Sequence, residues 1–248
     1  MERTQDMSKD GWLTALRQEG TAFRAALTEA EPSAPVPSCP EWTVRNLVSH
    51  VGRIYIYVRS ALELAGERPE RPGRPDDDDL LPWFDEAFAA LLTRAESLGA
   101  DAPAWNWSGQ PDVAVFWSRR MAHETSVHRW DAQMVSGMAQ PIESDLAADG
   151  VSEVLDTFLP MGRAAHPNGA TGLVRLTATD ANRTWLVRLR DDGVSLLDES
   201  AVLDGDAEAS TGVAGTAGDL VLALWGRLNL SALAVEGDPA RFEALQVS

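Results

Sequence analysis

The chain changes character between its two halves, from helical spacing alone to a mixture of helices and alternating runs, with a boundary near Gln140 to Ser144, and this change limits the fold more than any other feature. Before it, the spacing is helical. Trp12, Leu13, Leu16, Phe23, Ala26, Leu27 and Ala30 recur on one face, and Asp10 is placed to cap the start. The run PSAPVPSCP, from Pro32 to Pro40, excludes a regular helix. A second helix is predicted from about Thr43 to Ala65, with Val44, Leu47, Val48, Val51, Ile54, Tyr55, Val58 and Leu62 as a wide stripe and Gly66 as its stop. GERPERPGRPDDDD, from Gly66 to Asp79, is rich in proline and charge and reads as a loop between helices or as a linker. A third helix runs from about Leu80 to Leu98, where Pro82 is early enough to be tolerated, and a fourth from about Asp112 to Gly137. Four such helices with a long central crossover predict a four-helix bundle.

Past the boundary a helix near Ser144 to Ala165 precedes two alternating runs, Gly172 to Asp180 and Thr184 to Asp192. The turn DANR between them predicts a hairpin. VSLLD adds a third strand. Thr216 to Leu228 is a strongly apolar helix, ALAVEGD another strand, and Pro239 opens a last short helix. The expected fold is therefore α+β with two domains. Residues 1–142 form the bundle, and residues 143–248 a small α+β domain with an antiparallel or mixed sheet.

The charge balance excludes whole classes of partner. Over 248 residues, Lys and Arg number 21 and Asp and Glu 38, a formal charge of −17. A surface so negative has no general attraction for nucleic acid or anionic lipid. Cys39 is the one cysteine, which rules out an intrachain disulfide and a cysteine-rich zinc cluster and fits a reducing compartment. MERTQDMSKDGW has no apolar core of a secretory signal, and no run reaches the ~18 apolar residues of a membrane span. A cytoplasmic protein is expected.

Chemistry concentrates in HETSVHRWD, from His123 to Asp131. Glu124 and His128 are four apart and share a helix face, whereas His123 and His128 are five apart and do not. A metal ion on this helix would take Glu124 and His128, with His50 of the second helix as third ligand. Facing helices of a bundle commonly assemble such sets. Two imidazoles and a carboxylate suit Zn²⁺ with a fourth position open, and also accept Fe²⁺ or Ni²⁺. The competing reading is a surface Glu–His pair and a core histidine. The fourth histidine, His166, lies outside the helices of the first half.

Other residues carry two readings each. Asp131 either orients an imidazole or pairs with Arg129 or Arg53. Arg120 either clamps an anionic ligand or bridges to Glu124. Trp42, Trp105, Trp107, Trp117 and Trp130 either wall a pocket or fill the core, with Trp117 and Arg53 as the choices for cofactor contact. Cys39 is either a thiol of lowered pKa before a helix or a small filler. TGVAGTAGD, from Thr211 to Asp219, lacks the lysine and spacing of a phosphate loop.

Three runs, PVPSCPEWTVRNLVSHVGR (Pro35 to Arg53), FWSRRMAHETSVHRWDAQ (Phe116 to Gln133) and VAGTAGDLVLALWGRL (Val213 to Leu228), resemble the mycothiol-dependent maleylpyruvate isomerase family. The resemblance implies a DinB-like bundle joined to a C-terminal domain similar to sterol carrier proteins. It implies a divalent metal, typically zinc, on His50, Glu124 and His128, and mycothiol as thiol cofactor or cosubstrate. The bound thiol would lose its proton and attack an electrophilic carbon. Addition to a cis double bond, rotation and release would give the trans isomer; a stable adduct would give an S-conjugate. The family's activity also involves a C-terminal arginine, whose position the resemblance does not fix; Arg227 is the residue chosen. An anionic diacid would need cationic anchors from Arg53, Arg119, Arg120, Arg129 and Arg227.

Two further classes fit the same residues. One is a non-enzymatic carrier of an apolar ligand, and the other a zinc-dependent hydrolase with water in the open position. The expected partner is a small electrophilic molecule, with neither nucleic acid nor membrane, and a homodimer is compatible with the bundle.

Overall fold

The computed structural model describes residues 7–73, 80–165, 169–191, 193–197 and 210–247. His166 and the acidic run Asp76 to Asp79 lie outside these residues. The chain divides into two compact units, Met1–Pro141 and Ile142–Ser248.

The first unit holds α1 (Lys9–Ala26), a short hairpin of β1 (Pro35–Val36) and β2 (Cys39–Thr43), then α2 (Val44–Glu63), α3 (Leu80–Glu96) and α4 (Ala114–Met134). Ser8 caps α1, accepting the Gly11 N–H at 3.2 Å, and Asp10 lies instead in the first turn, where its charge faces the helix dipole. The proline-rich run, which excludes a regular helix, forms the hairpin. It leads straight into α2, whose start is fixed by a reciprocal cap between Thr43 and Asn46. Past α2, Ala65 and Gly66 adopt φ of 50° and 111°, a left-handed exit that glycine takes without a Cβ clash.

α1 packs on α4 and α3, and α2 packs on α3 and α4, which closes a four-helix bundle. Its core includes Leu16, Phe23, Leu47, Val51, Tyr55, Val58, Phe84 and Leu91, all essentially inaccessible to water. α4 is unusual, because residues on every side of it are buried. Ser118, Arg120, His123, Thr125, Ser126, His128, Arg129 and Asp131 are all withdrawn from solvent. Polar groups in such a position must find partners within the protein. The helix therefore gathers a polar network into the bundle interior.

The second unit has α5 (Ser144–Glu153), a π turn (Val154–Phe158), α6 (Leu159–Ala165), β3 (Gly172–Ala178), β4 (Arg183–Arg190), β5 (Gly193–Leu197), β6 (Ser210–Gly215), α7 (Ala217–Leu224), β7 (Ala234–Glu236) and α8 (Pro239–Glu243). The predicted single helix up to Ala165 is thus interrupted by the π turn. The five described strands form one mixed sheet in the order β5-β4-β3-β6-β7. β3 runs parallel to β6 and antiparallel to β4, with Leu173 opposite Arg188 and Leu176 opposite Trp185. β6 was not expected. Its sequence, STGVAG, offers one large apolar side chain and two glycines, so it shows no alternation. The strand packs closely at its end, where a Cβ on Gly215 would lie 2.4 Å from the Leu233 side chain. No helix among the described residues is long and apolar enough to cross a membrane.

Candidate metal centre

His50 projects from the middle of α2 and Glu124 and His128 from α4. His50 Nε2 lies 3.1 Å from Glu124 Oε1, and His128 Nε2 lies 3.2 Å from the same oxygen. The three ligand atoms all fall within 4.8 Å of one another. The i, i+4 spacing brings Glu124 and His128 together, and the α2–α4 packing supplies His50. His123 points elsewhere and packs edge-on against Trp12, with ring centroids 5.2 Å apart.

Two of the three side chains, Glu124 and His128, are held from behind. The Arg120 guanidinium donates to Glu124 Oε2, leaving Oε1 for the imidazoles. Burial alone would raise the Glu124 carboxyl, but Arg120 and the hydrogen bonds from His128 and His50 outweigh it and hold Glu124 well below the usual carboxylate range. His128 Nδ1 donates to Asp131 Oδ2 at 2.9 Å, which turns Nε2 toward the cluster. Burial would lower the imidazole, but bonding to Asp131 and Glu124 pushes it up to about 9. Asp131 is itself fully buried and accepts the Ser38 hydroxyl at 2.6 Å. The Cys39 thiol lies 3.8 Å from the other carboxylate oxygen. Trp42 covers one side of the cluster, 4.8 Å from the His50 ring and 5.9 Å from the His128 ring. Between the same two helices, the Tyr55 hydroxyl and Thr125 Oγ1 are 2.7 Å apart, and burial pushes the phenol well above its ordinary value.

The residues selected from sequence separate into two groups. His50, Glu124, His128, Asp131 and Arg120 are contiguous. The others make contacts elsewhere. Arg53 donates to the Pro72 carbonyl at 3.1 Å. Trp117 is buried, donates to the Trp105 carbonyl at 2.8 Å and packs against Phe116 and Tyr57. Arg129, counted among the anion anchors, is buried and engaged with Glu19, Gln133 and the carbonyls of Gln140 and Pro141. Arg227 belongs to the second unit, where it donates to the Trp225 carbonyl at 2.7 Å. Ser38 was missed; its contact with Asp131 spans 93 positions, and no local pattern marks it.

Fold and site together define a class: a two-unit protein whose helical bundle carries a convergent His–Glu–His cluster and whose second unit is built on a mixed sheet. Residues 13–133 match the mycothiol maleylpyruvate isomerase N-terminal domain, and residues 145–244 match the MDMPI C-terminal domain. The chain belongs to this family, which is named for an enzyme. Two similar solved structures are crystal structures of the mycothiol-dependent maleylpyruvate isomerase and of a histidine-to-alanine mutant of it. Their TM-scores are 0.65 and 0.66, each at 15% identity, over 95% of this chain and 96% of that one. At that identity the likeness establishes the fold. No curated protein shows significant similarity to the chain.

Proposed function

We propose that this chain is a divalent-metal enzyme, cytoplasmic in location, that activates mycothiol for addition to an electrophilic small molecule. The observation that carries the reading is the convergence of two imidazole Nε2 atoms on one carboxylate oxygen, at 3.1 and 3.2 Å. Two nitrogens and an oxygen at this spacing are a donor set that zinc accepts, with room for one further ligand. His50, Glu124 and His128 would hold the ion. When bound, it supplies Lewis acidity, which lowers the pKa of a thiol that reaches it.

The chain's own residues prepare that site. Arg120 keeps Glu124 anionic, and Asp131 fixes His128 with Nδ1 away from the cluster. Trp42 screens one side of it from water. The family's name supports mycothiol as the thiol. Its sulfur would add to an activated carbon; expulsion after rotation about the new single bond gives cis–trans isomerisation, and retention gives S-conjugation. Because Arg120 and Arg129 are engaged within the protein, the anchors for an anionic substrate must come from other groups.

The test has two parts. Protein purified without chelator is expected to carry near-stoichiometric zinc, lost in His50→Ala and His128→Ala. With a model electrophile, turnover is expected only when mycothiol is present. A wild type that takes up no metal on titration, or turnover indifferent to thiol, would overturn the proposal.

A further inference from the structure

Ser38 is where the polar network of α4 leaves the helix. Asp131 is a carboxylate with no accessible surface, and such a group is stable only when its oxygens are satisfied. Oδ2 faces His128 Nδ1 at 2.9 Å, and Oδ1 accepts the Ser38 hydroxyl at 2.6 Å. These are short bonds to a charged acceptor, and they fix the plane of the carboxylate. Ser38 sits on the two-residue turn between β1 and β2, so its position is set by the hairpin. The hairpin is tied down in turn, with the Val44 N–H on the Ala34 carbonyl and the Arg45 N–H on the Pro32 carbonyl, both at 2.9 Å. The same hairpin brings Trp42 against the rings of His50 and His128. One short segment thus holds His128 at its rear nitrogen, through Asp131, and on its ring face.

We propose that Ser38 is a positioning residue: acting through Asp131, it fixes the His128 imidazole so that Nε2 meets the other two ligands. The inference rests on the metal-site reading above and deepens it. Outer partners of this kind are worth about 10–100-fold in metal affinity where they have been removed from other sites.

The experiment has one arm without metal and one with it. In metal-free wild type, the His128 Nδ1–H should give a slowly exchanging NMR signal, because it is bonded and buried. Ser38→Ala and Asp131→Asn should both speed its exchange or remove the signal, and Ser38→Thr, which keeps the hydroxyl, should restore it. In the second arm, Zn²⁺ affinity is read by competition with a chromophoric chelator, and Co²⁺ geometry by its visible spectrum. Ser38→Ala is expected to lose about tenfold and Asp131→Asn about 10–100-fold in affinity. Their double variant should be no weaker than Asp131→Asn alone, since Ser38 acts through Asp131.

Ser38→Ala with wild-type exchange, affinity and spectrum would overturn the proposal. So would losses that multiply in the double variant, or a threonine variant that behaves as alanine does. A wild type that binds neither ion sinks the metal-site reading instead, while the metal-free arm still decides whether Ser38 holds His128.

Discussion

Glu124 is a carboxylate that a helix interior would ordinarily exclude. It is kept there by Arg120 on one oxygen and two imidazoles on the other, so its neighbours act as a stand-in for the positive charge of an ion. Removing Arg120 leaves a buried charge without its main partner, a defect that costs about 3–5 kcal/mol. Arg120→Leu should therefore lose stability of that order in urea denaturation with chelator present. A bound divalent ion would restore the missing charge, so added zinc should recover much of the loss. Equal losses with and without zinc would show that Glu124 does not face the ion.

The proton on His128 has a similar meaning. In the metal-free protein the imidazole is raised from 6.5 to about 9. A group raised on folding contributes stability that is complete below about pH 6.5 and is lost as pH climbs through about 9. Metal-free protein should thus become less stable across that window. Zinc competes with the proton for Nε2, so its apparent affinity should rise over the same range, with proton release measurable by calorimetry in buffers of different ionisation enthalpy. A zinc affinity independent of pH there would exclude His128 as a ligand.

At the scale of elements, helices were easier to read than strands. A stripe of large apolar residues is visible at helical spacing, and α2, α3 and α4 begin and end within about three residues of expectation. The convergence of Glu124 and His128 was legible for the same reason, because i, i+4 spacing places them on one face of a visible helix. β6 and the β1–β2 hairpin were not legible. Their residues are small or proline-rich, and their places are set by distant partners such as Leu233 and Asp131. Contacts of that kind depend on tertiary packing rather than local periodicity.

Gly52 shows how an element sets the site. It lies two residues beyond His50 on α2, and a Cβ there would sit 2.3 Å from the Trp83 ring on α3. Gly52→Ala must push that ring aside or move α2 outward, and overpacking of this sort costs about 1–3 kcal/mol. The variant should melt earlier and, because α2 carries His50, bind zinc more weakly. Wild-type affinity at reduced stability would mean that the ring, and not the helix, gives way.

On the scale of the whole molecule, the charge of −17 bears on substrate choice more than on fold. Arg120 is engaged with Glu124 on its own helix and Arg129 ties α4 to Glu19 of α1, so part of the positive charge counted for substrate is structural. The division into two units sharpens the matter. Every group implicated at the candidate centre, from Ser38 and Trp42 to Arg120 and Asp131, lies within Met1–Pro141. The Arg129 contacts with Gln140 and Pro141 close that unit at its C-terminal end. If the centre is assembled by the bundle alone, residues 1–141 expressed without the remainder should fold as a helical protein and bind zinc with the affinity of the full chain. Circular dichroism checks the fold and chelator competition the affinity. A fragment that is folded but has lost zinc would mean that the second unit contributes to the centre, and the search for the missing group would then move to residues 142–248.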